Sequence, residues 1–180
     1  MDKVTITASS DSLRDMVEVA PGLAMPRMIT IDCEGVAGYN VSMDVAGQDG
    51  RLAAVEIRVT QRPGGPPVTG EALRSIPVAA VTKLAGAKVV TFEQKDGYVE
   101  MTARVLTPEM VEDIRESGPT KKTLDWVAYL YRLAVLQGEP PTQAVETTLQ
   151  VPRSTAGRWV AQARRQGFLG PAEGQGKAGG

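Results

Sequence analysis

From Arg27 to Gln61 the chain alternates apolar and polar residues three times over, and that rhythm leaves few folds open. In "RMITIDCEG", Ile29 and Ile31 alternate with Thr30 and Asp32; in "YNVSMDVAG", Val41, Met43 and Val45 do the same. "RLAAVEIRVTQR" repeats the pattern with Val55, Ile57 and Val59 against Glu56, Arg58 and Thr60. Side chains along a strand point to opposite faces in turn, so such runs predict strands with one apolar and one polar face. Gln48-Asp49-Gly50 between the last two runs is a tight-turn signal and predicts a hairpin. Together they predict an antiparallel sheet whose apolar face needs a cover.

The cover is expected from "TGEALRSIPVAAVTKLAG", where Leu73, Ile76, Val81 and Leu84 recur near helical spacing. Pro77 splits this stretch into a turn of helix and a longer helix ending at Gly86. "PGGPP" before it is a loop that neither a helix nor a central strand can cross. Upstream, "KVTIT" reads as a short strand and "SSDSLRDMVEVA" as a short helix stopped by Pro21-Gly22. "KVVTFEQKDGYVEMTARVL" reads as a second hairpin turning at Asp96-Gly97, with a helical second half as the alternative. "TPEMVEDIRESGP" has Thr107 to cap it, Pro108 at its first position and Gly118-Pro119 to stop it, and reads as a connector helix.

After Gly118 the residues change character, becoming rich in helix formers and basic side chains. From Pro119 to Gly180 there are eight basic residues against four acids, a net of +4, while the remainder carries 12 against 17, a net of −5. A polyanion would dock on the basic part. The expected organisation is an α+β domain over 1–106, a connector over 107–119, a three-helix domain over 120–169 and a Gly-rich disordered tail over 170–180.

Several chemistries are disfavoured by residue usage. There is no histidine, which removes the usual catalytic triads and the common zinc sites. Cys33 is the single cysteine and reads as an inert buried thiol. Asp32, Glu34 and Asp44 read as a polar sheet face rather than as ligands of a divalent ion. "RPGGPP" lacks the lysine and following helix of a phosphate-binding loop. The expectation is a non-enzyme with no cofactor and no metal. No stretch has the length and apolarity of a membrane span or signal peptide, so no membrane partner and a cytoplasmic location are expected.

The last sixty residues carry the functional signal. "TLDWVAYLYRLAVLQG" is apolar almost all round, as in a buried helix. Trp126, Tyr129 and Tyr131 read as core or interface residues, and Arg132 as solvated or paired to an acid. "TQAVETTLQ" is a second, short helix with Ala144, Val145, Thr148 and Leu149 toward the core; "QVPR" is a turn, and "RSTAGRWVAQARRQG" a third helix. At about 100° per residue the third helix puts Ala156, Trp159, Val160 and Ala163 on one stripe. Ser154, Arg158, Ala161 and Arg165 fall opposite, flanked by Thr155 and Gln162. A major-groove helix needs that division: one side anchored in a small core, the other offering guanidinium forks and hydroxyls to base edges. Gly157 and Ala161 leave room for a duplex to approach. Arg153 and the first-turn N–H groups lie where phosphates would, and Lys121 and Lys122 just before the first helix reach for a neighbouring phosphate.

"PPTQAVETTLQVPRSTAGRWVAQARRQGFL" resembles the C-terminal helix-turn-helix of uncharacterised actinobacterial proteins and their phages. Those share a "PPT-x-AV" helix, a "V-S-R-S-T-A-x-RW" helix and an "A-R-x-x-G-L/F-L" ending. The resemblance covers about the last third of the chain and extends weakly to "RPGGPPVTGEALRSIPV". It implies DNA binding of the kind found in bacterial regulators, recombinases and transposases, with no named target. Three residues depart from the pattern. Gln150 stands where the turn usually has glycine, so a positive φ there is strained or the turn is reshaped. Pro152 replaces a serine cap, and Glu146 stands where a small residue is usual, which loosens the helix–helix contact.

The sequence therefore predicts an α+β protein: an N-terminal antiparallel sheet covered by a helix, then a C-terminal helix-turn-helix. The expected function is sequence-specific binding of double-stranded DNA as a bacterial or phage transcriptional regulator, through Arg153, Ser154, Thr155, Arg158, Gln162, Arg165, Lys121 and Lys122. A homodimer is expected, with the N-terminal domain serving oligomerisation or the sensing of an effector. The alternatives are a DNA-processing accessory factor and a protein-interaction module.

Overall fold

The structure, a computed structural model, describes residues 2–8, 15–95 and 98–170. It is α+β, with two antiparallel four-stranded sheets and six α-helices among the described residues. The chain divides into two compact units, Met1–Met101 and Thr102–Gly180. Pro108–Ser117, read from sequence as a connector, lies in the second.

In the first unit, β1 (Lys3–Ala8), β4 (Ile29–Val36), β5 (Tyr39–Gln48) and β6 (Arg51–Gln61) form one sheet in the order β1-β4-β5-β6. The three alternating runs are β4, β5 and β6. Pairing sets Ile31 opposite Met43 and Met43 opposite Ile57, so the apolar positions line one face. Ile29, Ile31, Cys33, Val41, Met43 and Val45 are buried there. Asp49 and Gly50 both have positive φ between the paired Gln48 and Arg51, the two-residue turn a right-twisted hairpin favours. Ala37-Gly38 makes the same kind of turn between β4 and β5, without an Asn or Asp to signal it.

The apolar face is covered by α2 (Val78–Lys83) and the 3-10 turn that continues it over Leu84–Lys88, with Val81 and Ala85 fully buried. The preceding α1 (Gly70–Ser75) is capped by Thr69, whose hydroxyl accepts from the Ala72 amide at 3.2 Å. Leu73, expected on the covering face, is 51% exposed, and Ala72 and Ile76 are buried instead. The physical reason is Pro77: helix phase does not carry across it, so spacing counted from 73 to 84 mixes two helices. Val55 and Ile57 also stay more than two-fifths exposed although Ile57 is opposite buried Met43, because β6 is the last strand of its sheet.

The second sheet corrects the reading of the N-terminus. Met16–Ala20, expected within a helix, is strand β2, and Leu23–Pro26 is strand β3; the rest of that expected helix, residues 9–14, lies outside the described residues. Pro21-Gly22 is a hairpin turn between paired Ala20 and Leu23, with Gly22 at φ 73°, and not a helix stop. All four β3 residues are buried, so β3 shows no alternation to read. β7 (Val90–Lys95) and β8 (Tyr98–Thr102) complete the sheet in the order β2-β3-β7-β8; the expected turn at Asp96-Gly97 is outside the described residues. A Cβ on Gly47 of β5 would overlap Val19 of β2, so the two strands meet closely there.

The second unit holds α3 (Pro108–Ser117), α4 (Lys121–Leu136), α5 (Pro141–Leu149) and α6 (Arg153–Arg165). Thr107 and Thr120 cap α3 and α4, accepting from the Met110 and Thr123 amides at 3.3 and 3.2 Å. The cap at Thr120 begins α4 two residues earlier than expected, so Lys121 and Lys122 are its first turn. Each of α4, α5 and α6 packs against the other two. Leu124, Val127, Leu136, Val145, Leu149, Ala156 and Ala163 are buried to 2% or less, and Trp159 to 6%. Thr148, expected in this core, is exposed. Trp126, Tyr129 and Tyr131 are buried, and Arg104 sits over the first two rings at 5.0 and 5.4 Å while donating to Asp125 at 2.5 Å. Burial raises the pKa of Tyr129, partly offset by Arg104. Among the described residues no helix is long and apolar enough to cross a membrane.

Candidate nucleic-acid interface

The α5–α6 turn sets the direction of α6. Gln150 adopts the left-handed conformation, φ 51° and ψ 41°, and the amides of Gln150 and Val151 both donate to the Glu146 carbonyl. The positive φ normally given to glycine is thus kept with a side chain attached, at a cost of about 1 kcal/mol. Val151 is buried below the turn, and Pro152 starts α6 with no side-chain cap.

From that start α6 divides cleanly. Ala156, Trp159, Val160 and Ala163 are buried against α4 and α5. Arg153, Ser154, Gly157, Arg158, Ala161 and Arg165 are exposed, and Thr155 and Gln162 are intermediate. Six of the eight expected contact residues therefore share one helix and its solvent side. A Cβ at Gly157 would meet nothing within 4 Å, so the middle of this face is open. Arg158 folds back along the helix and donates to the Thr155 hydroxyl at 3.2 Å.

The remaining two, Lys121 and Lys122, are exposed on α4, where the Lys122 ammonium lies 3.1 Å from Asp113 of α3. Cations in the first turn of a helix face the positive end of its dipole, and Asp113 offsets that.

Other basic residues are spoken for. Arg164 donates to the Tyr131 hydroxyl at 2.8 Å and stacks 4.8 Å from its ring centroid, so it ties α6 to α4. Arg132, expected to be solvated or paired to an acid, donates to the Phe168 carbonyl at 2.5 Å and fixes the chain leaving α6. Burial lowers its pKa, and nearby Asp125 opposes that.

Acids border the candidate surface. Glu146 comes within 3.9 Å of Arg153 across the turn. Glu112, Arg115 and Glu116 of α3 line a shallow cleft with Gln150, Pro152, Thr155 and Trp159, and Arg115 pairs with Glu112 at 2.8 Å. Nothing in the sequence signals that α3 would come there.

Asp44 accepts from Thr30 at 2.7 Å and Asp32 pairs with Ser42 in the ladder, and no group of three ligating side chains forms among the described residues. Burial, then Asp32, raises the Cys33 pKa and favours its neutral thiol.

Comparison with protein-family models, with curated proteins and with solved structures found no match to the chain.

Proposed function

We propose that the chain binds double-stranded DNA in a sequence-specific manner through α6, as a transcriptional regulator of a bacterium or phage. The observation carrying this reading is the division of α6: a buried stripe centred on Trp159, and opposite it an open face with Arg153, Arg158 and Arg165 around Gly157. In this reading α5, the αL turn and α6 form a helix-turn-helix. Arg158 and Arg165 extend into the major groove, with Ser154, Thr155 and Gln162 beside them. Arg153 and the amides opening α6 hold a phosphate, and Lys121 and Lys122 reach another. The first unit serves oligomerisation or effector sensing, and half-sites of a dimer lie about one helical turn apart.

The test is selection of bound duplexes from a random pool over a salt series. A recovered motif, with affinity falling steeply as salt rises, supports the reading. Failure to retain any duplex at low salt overturns it, because even non-specific binding is strong there.

A further inference from the structure

We propose that β6 is a self-association edge, through which two copies of this chain join their β1-β4-β5-β6 sheets into one eight-stranded sheet around a two-fold axis at Ile57. This inference does not rest on the DNA-binding reading.

β6 is the longest strand, Arg51–Gln61, and pairs with β5 on one side only among the described residues. A long free edge is a template for another strand, and proteins usually blunt it with short strands or charge. β6 carries the exposed charges Arg51, Glu56 and Arg58 and a register shift opposite Asp44 and Val45, and among these it leaves Val55 and Ile57 in the open. Among the described residues of the first unit, six large apolar side chains are substantially exposed, and five of them, Val55, Ile57, Val68, Leu73 and Val78, fall on β6 or in the segment from Val68 through α2 that follows it. α2 packs on β5 and β6, so both the edge and its cover present apolar groups.

The order of charges selects the occupant. A two-fold axis normal to a sheet pairs strands antiparallel about a single residue, because directly opposed side chains must share a face. Centring on Glu56 or Arg58 would set like charges against each other. Centring on Ile57 sets Glu56 against the copy's Arg58 twice by symmetry. Glu56, Ile57 and Arg58 pair regularly with Asp44, Met43 and Ser42 of β5, beyond the irregularity between Asp44 and Val45, so this triplet is regular strand. Glu56 and Arg58 already lie on one face, 2.8 Å apart within the strand, and a second copy closes that pair into a square of four charges of alternating sign. A strand of unrelated sequence would have no reason to match this order; a second β6 matches it by itself.

The test is sedimentation of the full chain and three variants. Wild type is expected to be a dimer, and Ile57→Lys a monomer with an unchanged far-ultraviolet spectrum, since two ammonium groups would meet on the axis. Glu56→Arg alone and Arg58→Glu alone should each weaken the dimer about tenfold, as two like-charged pairs replace two opposite ones. Mixed in equal amounts, those two variants should recover a heterodimer of wild-type strength, because every cross-strand pair is then opposite in sign. The like charges inside each strand persist in the mixture, so recovery cannot come from the monomer. A monomeric wild type, a dimer that survives Ile57→Lys, or a mixture no tighter than its components overturns the proposal. Thermal unfolding of each variant while monomeric separates weakened pairing from lost folding.

Discussion

The carboxylate of Glu146 lies 3.9 Å from the guanidinium of Arg153, spanning the turn between α5 and α6. The same residue's carbonyl accepts from the Gln150 and Val151 amides, so one position both closes the turn and holds back the first cation of α6. Arg153 is 75% exposed at its side chain, and such a pair contributes at most about 1 kcal/mol to stability. For a polyanion drawn to Arg153 it would matter more, because the carboxylate is a like charge beside that cation.

Glu146→Ala should therefore strengthen duplex binding several-fold at moderate salt and steepen the salt dependence by about one counterion. It should change thermal stability little. Isothermal titration over a salt series checks both. Equal affinity for wild type and variant would place the DNA elsewhere than beside Arg153.

Gly157 separates folding from binding. With no neighbour within 4 Å of its added Cβ, Gly157→Ala should raise stability by about 0.5–1 kcal/mol, the usual penalty of glycine inside a helix. Gly157→Leu should fold as well as the alanine variant, yet lose at least tenfold in duplex affinity as its side chain stands between the helix and the groove floor. Chemical denaturation and a filter-binding assay on the two variants give the comparison. A leucine variant that binds as tightly as wild type would mean that no duplex approaches this face.

Gln150 offers a purely structural test. Its αL backbone carries strain that glycine lacks, and its side chain is exposed. Gln150→Gly should thus stabilise the second unit by at most about 0.5 kcal/mol, the relief of about 1 kcal/mol of αL strain less the added freedom of the unfolded chain. Urea unfolding followed by Trp fluorescence measures it. A destabilised variant would show that the Gln150 side chain has a packing role.

How far the sequence could be read follows from which physical signals are local. The alternation in β4, β5 and β6, and the stripe through Ala156, Trp159, Val160 and Ala163, are periodic over several residues, and one buried face dictates each. β3 leaves no alternation in the sequence because both its faces are buried. β2 reads as helix in the sequence because Pro21-Gly22 ends a helix and turns a hairpin equally well, and only pairing with β3 decides. Leu73 was misplaced because Pro77 resets helical phase. At the candidate site, the exposed row of α6 was legible from its own spacing. The approach of Glu112 and Glu116 to its first turn was not, being set by how α3 folds back within the unit. Arg164 and Arg165 are neighbours of like charge in the sequence, but only the position of Tyr131 on α4 separates a structural arginine from a free one.

Arg158 gives the sharpest test of the functional reading. Among the described residues its guanidinium bonds only to the Thr155 hydroxyl along the exposed face, a weak tether that a better acceptor can displace. Base edges of guanine offer two acceptors at the spacing of the guanidinium fork, so swapping one exposed neutral bond for two charge-assisted ones is favourable. Arg158→Ala should then cost about 1–3 kcal/mol in affinity for the selected duplex and relax preference at a single base pair, leaving other positions as selective as before. Because Arg158 is not part of the Trp159 core, its removal should leave the unfolding midpoint close to that of wild type. Binding to a panel of single-base variants distinguishes the outcomes. A loss equal across the whole panel, with the salt slope reduced by about one, would assign Arg158 to a phosphate and leave base reading to Arg165 and its neighbours.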